Sequence, residues 1–375
     1  MNLVKRTLLA LEDLLQRSLR AVAEGHGSLR ARLRPTLCTH RPGLGCHCPA
    51  AARGLHLVHS EGLREGCDFV VDWDSNIEHR RRPQVPTRFL GPGLARLPAG
   101  ASVHVKTSEL AAFVAHVLPH ATAPFVLVTG ESDLSPVKRF EGLLEHPHIL
   151  HWFAQNCDVP HAHERLTRLP IGFDNPVYTR LEKRLGFILT MLAGRTPLDL
   201  TVTRNDIGDQ VTLCRVREGL PRDRPLRVLC TFTKNSKIMS HYEKVPARVE
   251  AFAALHGQAH CWFPEHRLRQ VDCWRRHGDH AFEACPQGNG MDTFRVWEAL
   301  FLGTIPIVKT SPLDALYAEY PVVIVDDWRE VTPARLVAWQ QRFGPRLDAD
   351  VLERLTNDHW LARIRRAGGR TPIGA

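Results

Sequence analysis

Short apolar runs separated by polar turns alternate with longer stretches of helical period along most of the chain. In the first half, the runs GLHLVH, DFVVDW, SVHVK, PFVLVTG and HILHWFAQN predict strands, and residues 108–120 predict a helix. In the second half, PLRVLCTFT, AHCWF, HAFEACPQG, TIPIVKTS and PVVIVDDW predict strands, and HYEKVPARVEAFAAL predicts a helix. Because strands and helices alternate, we expect an α/β fold with two Rossmann-like domains.

The chain is long enough for two domains. We place residues 1–206 in an N-terminal α/β domain with a helical extension, and residues 207–375 in a C-terminal Rossmann-like domain followed by terminal helices. The polar sequence RVREGLPRDRP is typical of a linker. The first residues, MNLVKRTLLALEDLLQRSLRAVA, predict an amphipathic helix that either packs on the protein body or makes a peripheral contact with a membrane surface.

The charge of the protein favours an anionic partner. Among 375 residues, 49 Lys and Arg against 40 Asp and Glu leave a formal net charge of +9. The basic residues are spread along the chain without the signature of a nucleic-acid-binding module, so we expect no nucleic-acid partner. No stretch approaches the ~20 apolar residues that span a bilayer, and we recognise no export signal. We therefore expect no transmembrane segment and a cytoplasmic location.

Ten cysteines are scattered along the chain, which predicts reduced thiols rather than a disulfide scaffold. Cys38, His40, Cys46 and Cys48 form one cluster with ligand chemistry, but it lacks the usual two-residue gap between paired cysteines. We interpret the cluster as a loop without a metal, and a metal site is the alternative.

Residues 285–303, CPQGNGMDTFRVWEALFLG, combine a glycine-framed loop with an amphipathic helix. Asp292, Arg295 and Glu298 recur every three residues and so share one arc of the helix. A surface helix with one ion pair would explain this pattern, but the loop follows a predicted parallel strand. Ligands bind at the carboxyl edge of such sheets.

The residue types of this segment match the chemistry of a nucleotide diphosphate. Bare backbone at Gly288, Asn289 and Gly290, followed by Asp292 and Thr293 at the helix start, offers N–H groups and a partial positive charge to phosphate. Arg295 offers a fork of N–H donors to the same phosphates. The carboxylate of Glu298 suits the two hydroxyls of a ribose.

The segment resembles the part of exostosin-like glycosyltransferases of GT-B architecture that binds the sugar donor. The resemblance covers residues 280–330 and rests on Pro286, Gly288, Arg295, Glu298, Gly303, Pro306 and Val308. Gln287 stands where the family often has Arg, which leaves a phosphate contact to Lys309 or Lys234. The resemblance implies two Rossmann-like domains that face a cleft, in which a sugar moves from a sugar nucleotide to an acceptor.

Several polar residues follow other predicted strands. Lys234 and Asn235 follow the first strand of the C-terminal domain and are further candidates for binding the sugar nucleotide. Glu131 and Asp133 follow PFVLVTG on the acceptor side, and either is a candidate base for the acceptor hydroxyl. Asp133 as a turn or cap residue is the alternative.

Asn156 and Asp174 are candidate residues on the acceptor side of the cleft, because they follow the apolar runs HILHWFAQ and LPIGF. A pair of carboxylates, Asp72 and Asp74, has the spacing of a divalent-metal site, but in a GT-B frame the helix dipole and basic side chains replace the metal. We therefore expect no cofactor. Two hypotheses follow: a glycosyltransferase acting on a glycan or small-molecule hydroxyl, or a non-catalytic nucleotide- or glycan-binding module on the same scaffold.

Overall fold

The computed structural model describes residues 57–71, 97–173, 210–238, 241–347 and 349–370. The first sheet has five parallel strands in chain order β1-β2-β3-β4-β5. These strands are Phe69–Val71, Ala101–Lys106, Phe125–Gly130, Ile149–Gln155 and Leu166–Leu169. Every residue of β3 is buried, as expected of a parallel strand covered on both faces.

The second sheet is also parallel but doubly wound. Its order is β12-β11-β10-β6-β9. In chain order these strands are β6 Val228–Leu229, β9 Cys261–Trp262, β10 Phe282–Ala284, β11 Ile305–Lys309 and β12 Val323–Val325. Counted along the chain the order is 2-1-3-4-5, so its direction reverses between β6 and β10. The predicted α/β fold with two Rossmann-like sheets is confirmed.

Ten α-helices lie among the described residues. They are α1 Ser60–Gly66, α2 Leu110–His116, α3 Gln210–Glu218, α4 Pro246–Leu255, α5 Gln270–Arg276, α6 Phe294–Phe301, α7 Asp314–Tyr317, α8 Pro333–Phe343, α9 Ala349–Arg354 and α10 Asn357–Ala367. Sequence signals explain several boundaries. Proline, with φ already set for a helix, occupies the first position of α4 and α8. The Thr356 hydroxyl accepts from the His359 N–H at the start of α10.

Three local predictions are wrong. The helix predicted from residue 241 begins only at Pro246, because His241–Lys244 forms strand β8, antiparallel to β7 at Asn235–Ile238. The linker predicted at residues 215–225 begins inside α3. The described part of GLHLVH, residues 57–59, forms two isolated bridges instead of a strand.

The chain divides into two compact units. Both sheets lie in the unit formed by Leu55–Phe173, Pro221–Glu265 and His277–Ala375. Helices α3 and α5 belong to the other unit and contact each other. The domain boundary that we predict between residues 206 and 207 lies outside the described residues and stays a prediction.

A buried core supports the second sheet. The strand residues Val228, Phe282, Ile305 and Ile307 are 0% exposed. They pack with aromatic side chains from the elements around them, such as Trp328 and Trp339. A close-packed core of this kind holds the ends of the strands, and therefore the loops that follow them, in fixed positions.

Candidate functional site

The reversal of strand order in the second sheet marks a crevice between β6 and β10. In doubly wound sheets ligands bind outside the carboxyl ends of the strands at such a point. The segments that leave this point are residues 230–234 after β6 and residues 285–293 after β10. The second of these is the glycine-framed loop singled out in the sequence.

Arg295 lies at this point, in the first turn of α6. Its Nε is 3.4 Å from Thr231 Oγ1, and 3.5 Å from the carboxylate Oε1 of Glu283 on β10. Thr231 donates its hydroxyl hydrogen to the same Glu283 oxygen over 2.9 Å. About a fifth of the Arg295 side chain (21%) is exposed, while Glu283 is buried at 2%. Arg295 is therefore held by Thr231 and Glu283, and part of its side chain is accessible to solvent.

Sequence reasoning missed a second guanidinium beside it. Arg248, in the first turn of α4, donates from Nε to the backbone carbonyl of Gln287 over 3.3 Å. Burial, together with the positive charge of Arg295, lowers the pKa of Arg248 from 12.5 to about 10. Among the described residues no carboxylate pairs with Arg248. Two neighbouring guanidiniums, with the buried acid Glu283 beside Arg295, form a site for an anion.

The position of Arg248 bears on one glycine of the loop. A Cβ atom at Gly288 would lie 2.9 Å from Arg248 Nη2, so a side chain at this position would displace the guanidinium. Arg248 is held by the backbone carbonyl of Gln287, a contact that does not depend on the side chain of that residue. No local sequence pattern marks Arg248, because it meets the loop only through the fold.

The loop and the start of α6 leave hydrogen-bonding groups available. The Thr293 side chain, at the N-cap of α6, makes no capping hydrogen bond. The Thr293 hydroxyl is buried and makes no hydrogen bond within the described part of the chain. The Gly288 N–H is used inside the loop, where it donates to the Gly290 carbonyl over 3.0 Å. An uncapped helix start beside two arginines favours negative charge.

Asp292 faces inward. Its carboxylate accepts from the N–H groups of Ile171 (2.7 Å) and Thr293 (2.8 Å), from Trp297 Nε1 and from the Tyr317 hydroxyl (both 3.0 Å). Burial raises the pKa of Asp292 to about 6, although these donors oppose the rise. Four donors fill both oxygens, so the carboxylate joins the loop to the first sheet.

Asn156 completes this junction from the end of β4. Its Oδ1 accepts from the Asp292 N–H, and its Nδ2 donates to the Ser132 carbonyl, each over 2.9 Å. A Cβ on Gly290 would lie 3.0 Å from the Asn156 amide. The predicted acceptor-side residue Asn156 and the predicted donor-binding loop are thus in direct contact. Two hydrogen bonds, both made by the Asn156 side chain, connect the loop of residues 131–133 to Asp292.

The two candidate bases differ in their surroundings. Glu131 has a left-handed backbone, φ 58°, and its carboxylate lies 3.9 Å from Arg64 Nη1. The Glu131 N–H donates to Gln155 Oε1 over 3.0 Å. Asp133 is exposed. Asp174, the other predicted acceptor-side residue, lies outside the described residues.

The remaining residues predicted to bind the donor differ in their exposure to solvent. Lys234 is exposed, and its Nζ lies 4.0 Å from the centre of the Phe252 ring. Asn235 is exposed at the start of β7. Asn289 is exposed in the loop. Glu298 is 8% exposed within α6.

A cavity of about 470 Å³ opens beside the loop at the carboxyl ends of β10 and β11. It contains an ion pair at its wall, Lys309 Nζ to Glu250 Oε1, 2.5 Å apart. Lys309 therefore already has a carboxylate partner, unlike Arg248. The cavity is lined by Val245, Pro246, Ala247, Glu250, Pro286, Gln287, Gly288, Lys309, Thr310 and Trp328.

The described residues hold neither a cluster of metal ligands nor a membrane-spanning helix. Within these ranges no three His, Cys, Asp or Glu side chains are placed to hold a metal ion. None of the helices in the described part of the chain is both long and apolar enough to cross a membrane. The predicted N-terminal helix, the cluster from Cys38 to Cys48, and the pair Asp72 and Asp74 lie outside the described residues.

No family model matches the sequence, and no curated protein matches it. Among solved structures, the chain is similar to an α1,3-fucosyltransferase, with 15% identity and a TM-score of 0.32 over 86% of this chain and 87% of that one. It is similar also to an α1,3-fucosyltransferase with GDP-fucose, with 14% identity and a TM-score of 0.28 over 74% of this chain and 93% of that one. Similarity this low carries no conclusion about activity.

Proposed function

We propose that this protein is a glycosyltransferase of GT-B type that moves a sugar from a sugar nucleotide to a hydroxyl group of a glycan or small molecule. One observation carries the proposal: Arg248 and Arg295 lie together at the switch point of a doubly wound sheet, beside a glycine loop and an uncapped helix start. A diphosphate is the anion that such a set of donors fits best. The exostosin-like resemblance of residues 280–330 supports the same assignment.

In this proposal the two arginines hold the diphosphate before and during transfer. The acceptor oxygen attacks the anomeric carbon as a carboxylate takes its proton, and the bond from that carbon to the diphosphate oxygen breaks. The leaving diphosphate gains negative charge at that moment. Arg295, Arg248 and the start of α6 are already oriented toward it, so they stabilise the transition state without rearrangement.

The base belongs to the loop of residues 131–133. Glu131 is our first choice, because its left-handed backbone is of the strained kind found at functional sites. The exposed side chain of Asp133 is the second choice. The hydrogen bond from Asn156 to the Ser132 carbonyl ties this loop to Asp292, three residues before Arg295, which supports a role for the loop beside the anion site.

A thermal-shift screen against UDP, GDP, CDP, ADP and their sugar conjugates tests the proposal. A ligand at about 100 times its Kd raises the unfolding free energy by about 2.7 kcal/mol. Arg295→Ala and Arg248→Ala should each weaken the ligand that binds by roughly 10- to 100-fold, because charge-assisted hydrogen bonds contribute about 1.5–3 kcal/mol. Arg222→Ala, at an exposed position, is the matched control and should bind normally.

Absence of any shift in a folded sample, with and without Mg²⁺ or Mn²⁺, would overturn the proposal. The binding-module hypothesis has one observation in its favour, namely that Glu131 lies 3.9 Å from Arg64. A neighbouring cation stabilises the carboxylate form and makes it a weaker base. Binding of a sugar nucleotide without transfer or hydrolysis of the sugar would support that hypothesis.

A further inference from the structure

A buried carboxylate lies directly behind the anion site. Glu283, in the middle of β10, is 2% exposed. Its Oε1 accepts from Thr231 over 2.9 Å and lies 3.5 Å from Arg295 Nε. Its Oε2 makes no hydrogen bond among the described residues and lies 3.4 Å from His277 Nε2. A fully buried carboxylate with one unsatisfied oxygen is costly to keep ionised.

The groups around Glu283 oppose each other. Burial and the negative charge of Glu298 raise the pKa of Glu283, whereas Arg295 and the Thr231 hydroxyl lower it. His277 carries no compensating charge, because burial, with Arg224, His280 and Arg295 nearby, lowers its pKa well below 6.5. The buried thiols of Cys230 and Cys285 also face Glu283, and their pKa values are raised well above 9.0, so both stay neutral.

We propose that Glu283 is a positioning residue that controls how much of the Arg295 charge is available to an anionic ligand. As a neutral acid, Glu283 leaves the guanidinium charge to the ligand. As a carboxylate, it holds Arg295 Nε and cancels part of the charge that an incoming diphosphate meets. This inference rests on the proposed anion site and deepens it, because it makes ligand affinity depend on a group that the ligand does not touch.

The direction of the effect follows from the charges. The pKa of Glu283 is raised from 4.5 to about 8, so Glu283 is neutral near pH 7 and ionises as the pH rises. Anion affinity should then fall as the pH rises through about 8. One added negative charge within reach of the ligand in a partly buried site corresponds to about a tenfold loss of affinity.

Binding of inorganic pyrophosphate, measured by titration calorimetry on the full chain between about pH 6.5 and about pH 9.5, tests the inference. Wild type and Glu283→Gln are compared, because glutamine keeps the shape and cannot ionise. Pyrophosphate ionises identically in both experiments. The Kd of the wild type divided by the Kd of Glu283→Gln therefore reports the ionisation of Glu283 alone. We expect this ratio to rise about tenfold with a midpoint near 8, which leaves the variant the tighter binder at high pH.

A second variant covers the case in which glutamine disturbs folding. Thr231→Val removes a hydrogen bond that favours the ionised form, so the fall in affinity should move to higher pH. Glu319→Gln, whose carboxylate pairs with Arg363, is the matched control and should follow the wild-type curve.

The outcomes separate the two proposals. A Kd ratio that is constant with pH, or an unmoved midpoint in Thr231→Val, would overturn the role of Glu283 and leave the anion site intact. Failure of the wild type to bind pyrophosphate at any pH, together with no response to nucleoside diphosphates, would overturn the anion site and with it the role of Glu283.

Discussion

Replacing Asp292 by asparagine should destabilise the protein more than it weakens ligand binding. The carboxylate is 2% exposed and accepts hydrogen bonds from four donors, among them the Ile171 N–H on Oδ2 and the Tyr317 hydroxyl on Oδ1. Asparagine offers one acceptor oxygen and one NH₂ group. Whichever way the amide turns, its NH₂ faces at least one buried donor that had an acceptor before.

The magnitude follows from the lost contacts. A hydrogen bond to a charged group contributes about 1.5–3 kcal/mol, and a buried donor left unsatisfied costs about 1–3 kcal/mol. With at least one donor disrupted and the negative charge removed from the others, we expect Asp292→Asn to lower the unfolding free energy by about 3 kcal/mol. At about 2.1 cal/mol/K of unfolding entropy per residue, a loss of this size lowers the Tm of a 375-residue chain by roughly 4 °C.

Urea denaturation near neutral pH, followed by tryptophan fluorescence, measures this change directly. Trp297 donates to Asp292, so its emission reports on the same junction. Asp223→Asn is the matched control, because Asp223 is exposed, and it should change stability by less than about 0.5 kcal/mol. Equal stability of Asp292→Asn and wild type, with loss of nucleotide binding alone, would refute this reasoning and return Asp292 to the ligand contacts predicted from the sequence.

Two further predictions concern the fold. His104 is buried in β2, and burial lowers its pKa from 6.5 to about 3. Between these pH values the histidine is protonated in the unfolded chain and neutral in the folded chain. Between roughly pH 6 and pH 4, His104→Leu should remove about 1.4 kcal/mol per pH unit of the acid-side loss of stability, and parallel urea-derived curves for the two proteins would contradict this. Gly172 and Gly257 both have positive φ, 72° and 86° respectively. A Cβ atom at Gly172 would lie 2.1 Å from the Val58 carbonyl oxygen, whereas a Cβ atom at Gly257 would meet no atom within 4 Å. Gly257→Ala should therefore cost about 1–2 kcal/mol in denaturation experiments and Gly172→Ala clearly more, and equal losses would show that the close contact is relieved at no cost.

The strands of both sheets except β5, Leu166–Leu169, were predicted, because their signal is local. A buried parallel strand is a short apolar run, and β3 and β11 have that character along almost their whole length. The hairpin of β7 and β8 was not predictable in this way. Its sequence has no apolar run, and only the antiparallel pairing of Asn235–Ile238 with His241–Lys244 makes these residues strands.

The site was predictable only in the part that lies close together in sequence. Arg295 and the glycine loop share one segment, so their spacing could be seen. Arg248 is 47 positions away from Arg295 in the chain, and it reaches the loop because α4 begins above the same edge of the sheet. No periodicity of the sequence encodes such a meeting, because it follows from the order of the strands.

Asp292, Arg295 and Glu298, which the sequence places three residues apart, therefore do not share one role. Helical spacing groups Arg295 with Glu298, but Asp292 precedes the N-cap residue Thr293 and lies outside α6, so the predicted arc is wrong for Asp292. Asp292 is directed to the first sheet, where Asn156 and Ile171 meet it. Arg295 is directed to the crevice beside β6, where Glu283 and Thr231 hold it. The segment that joins the two sheets thus also carries the cation of the anion site, and a change that loosens the junction should displace Arg295 even though it touches no ligand.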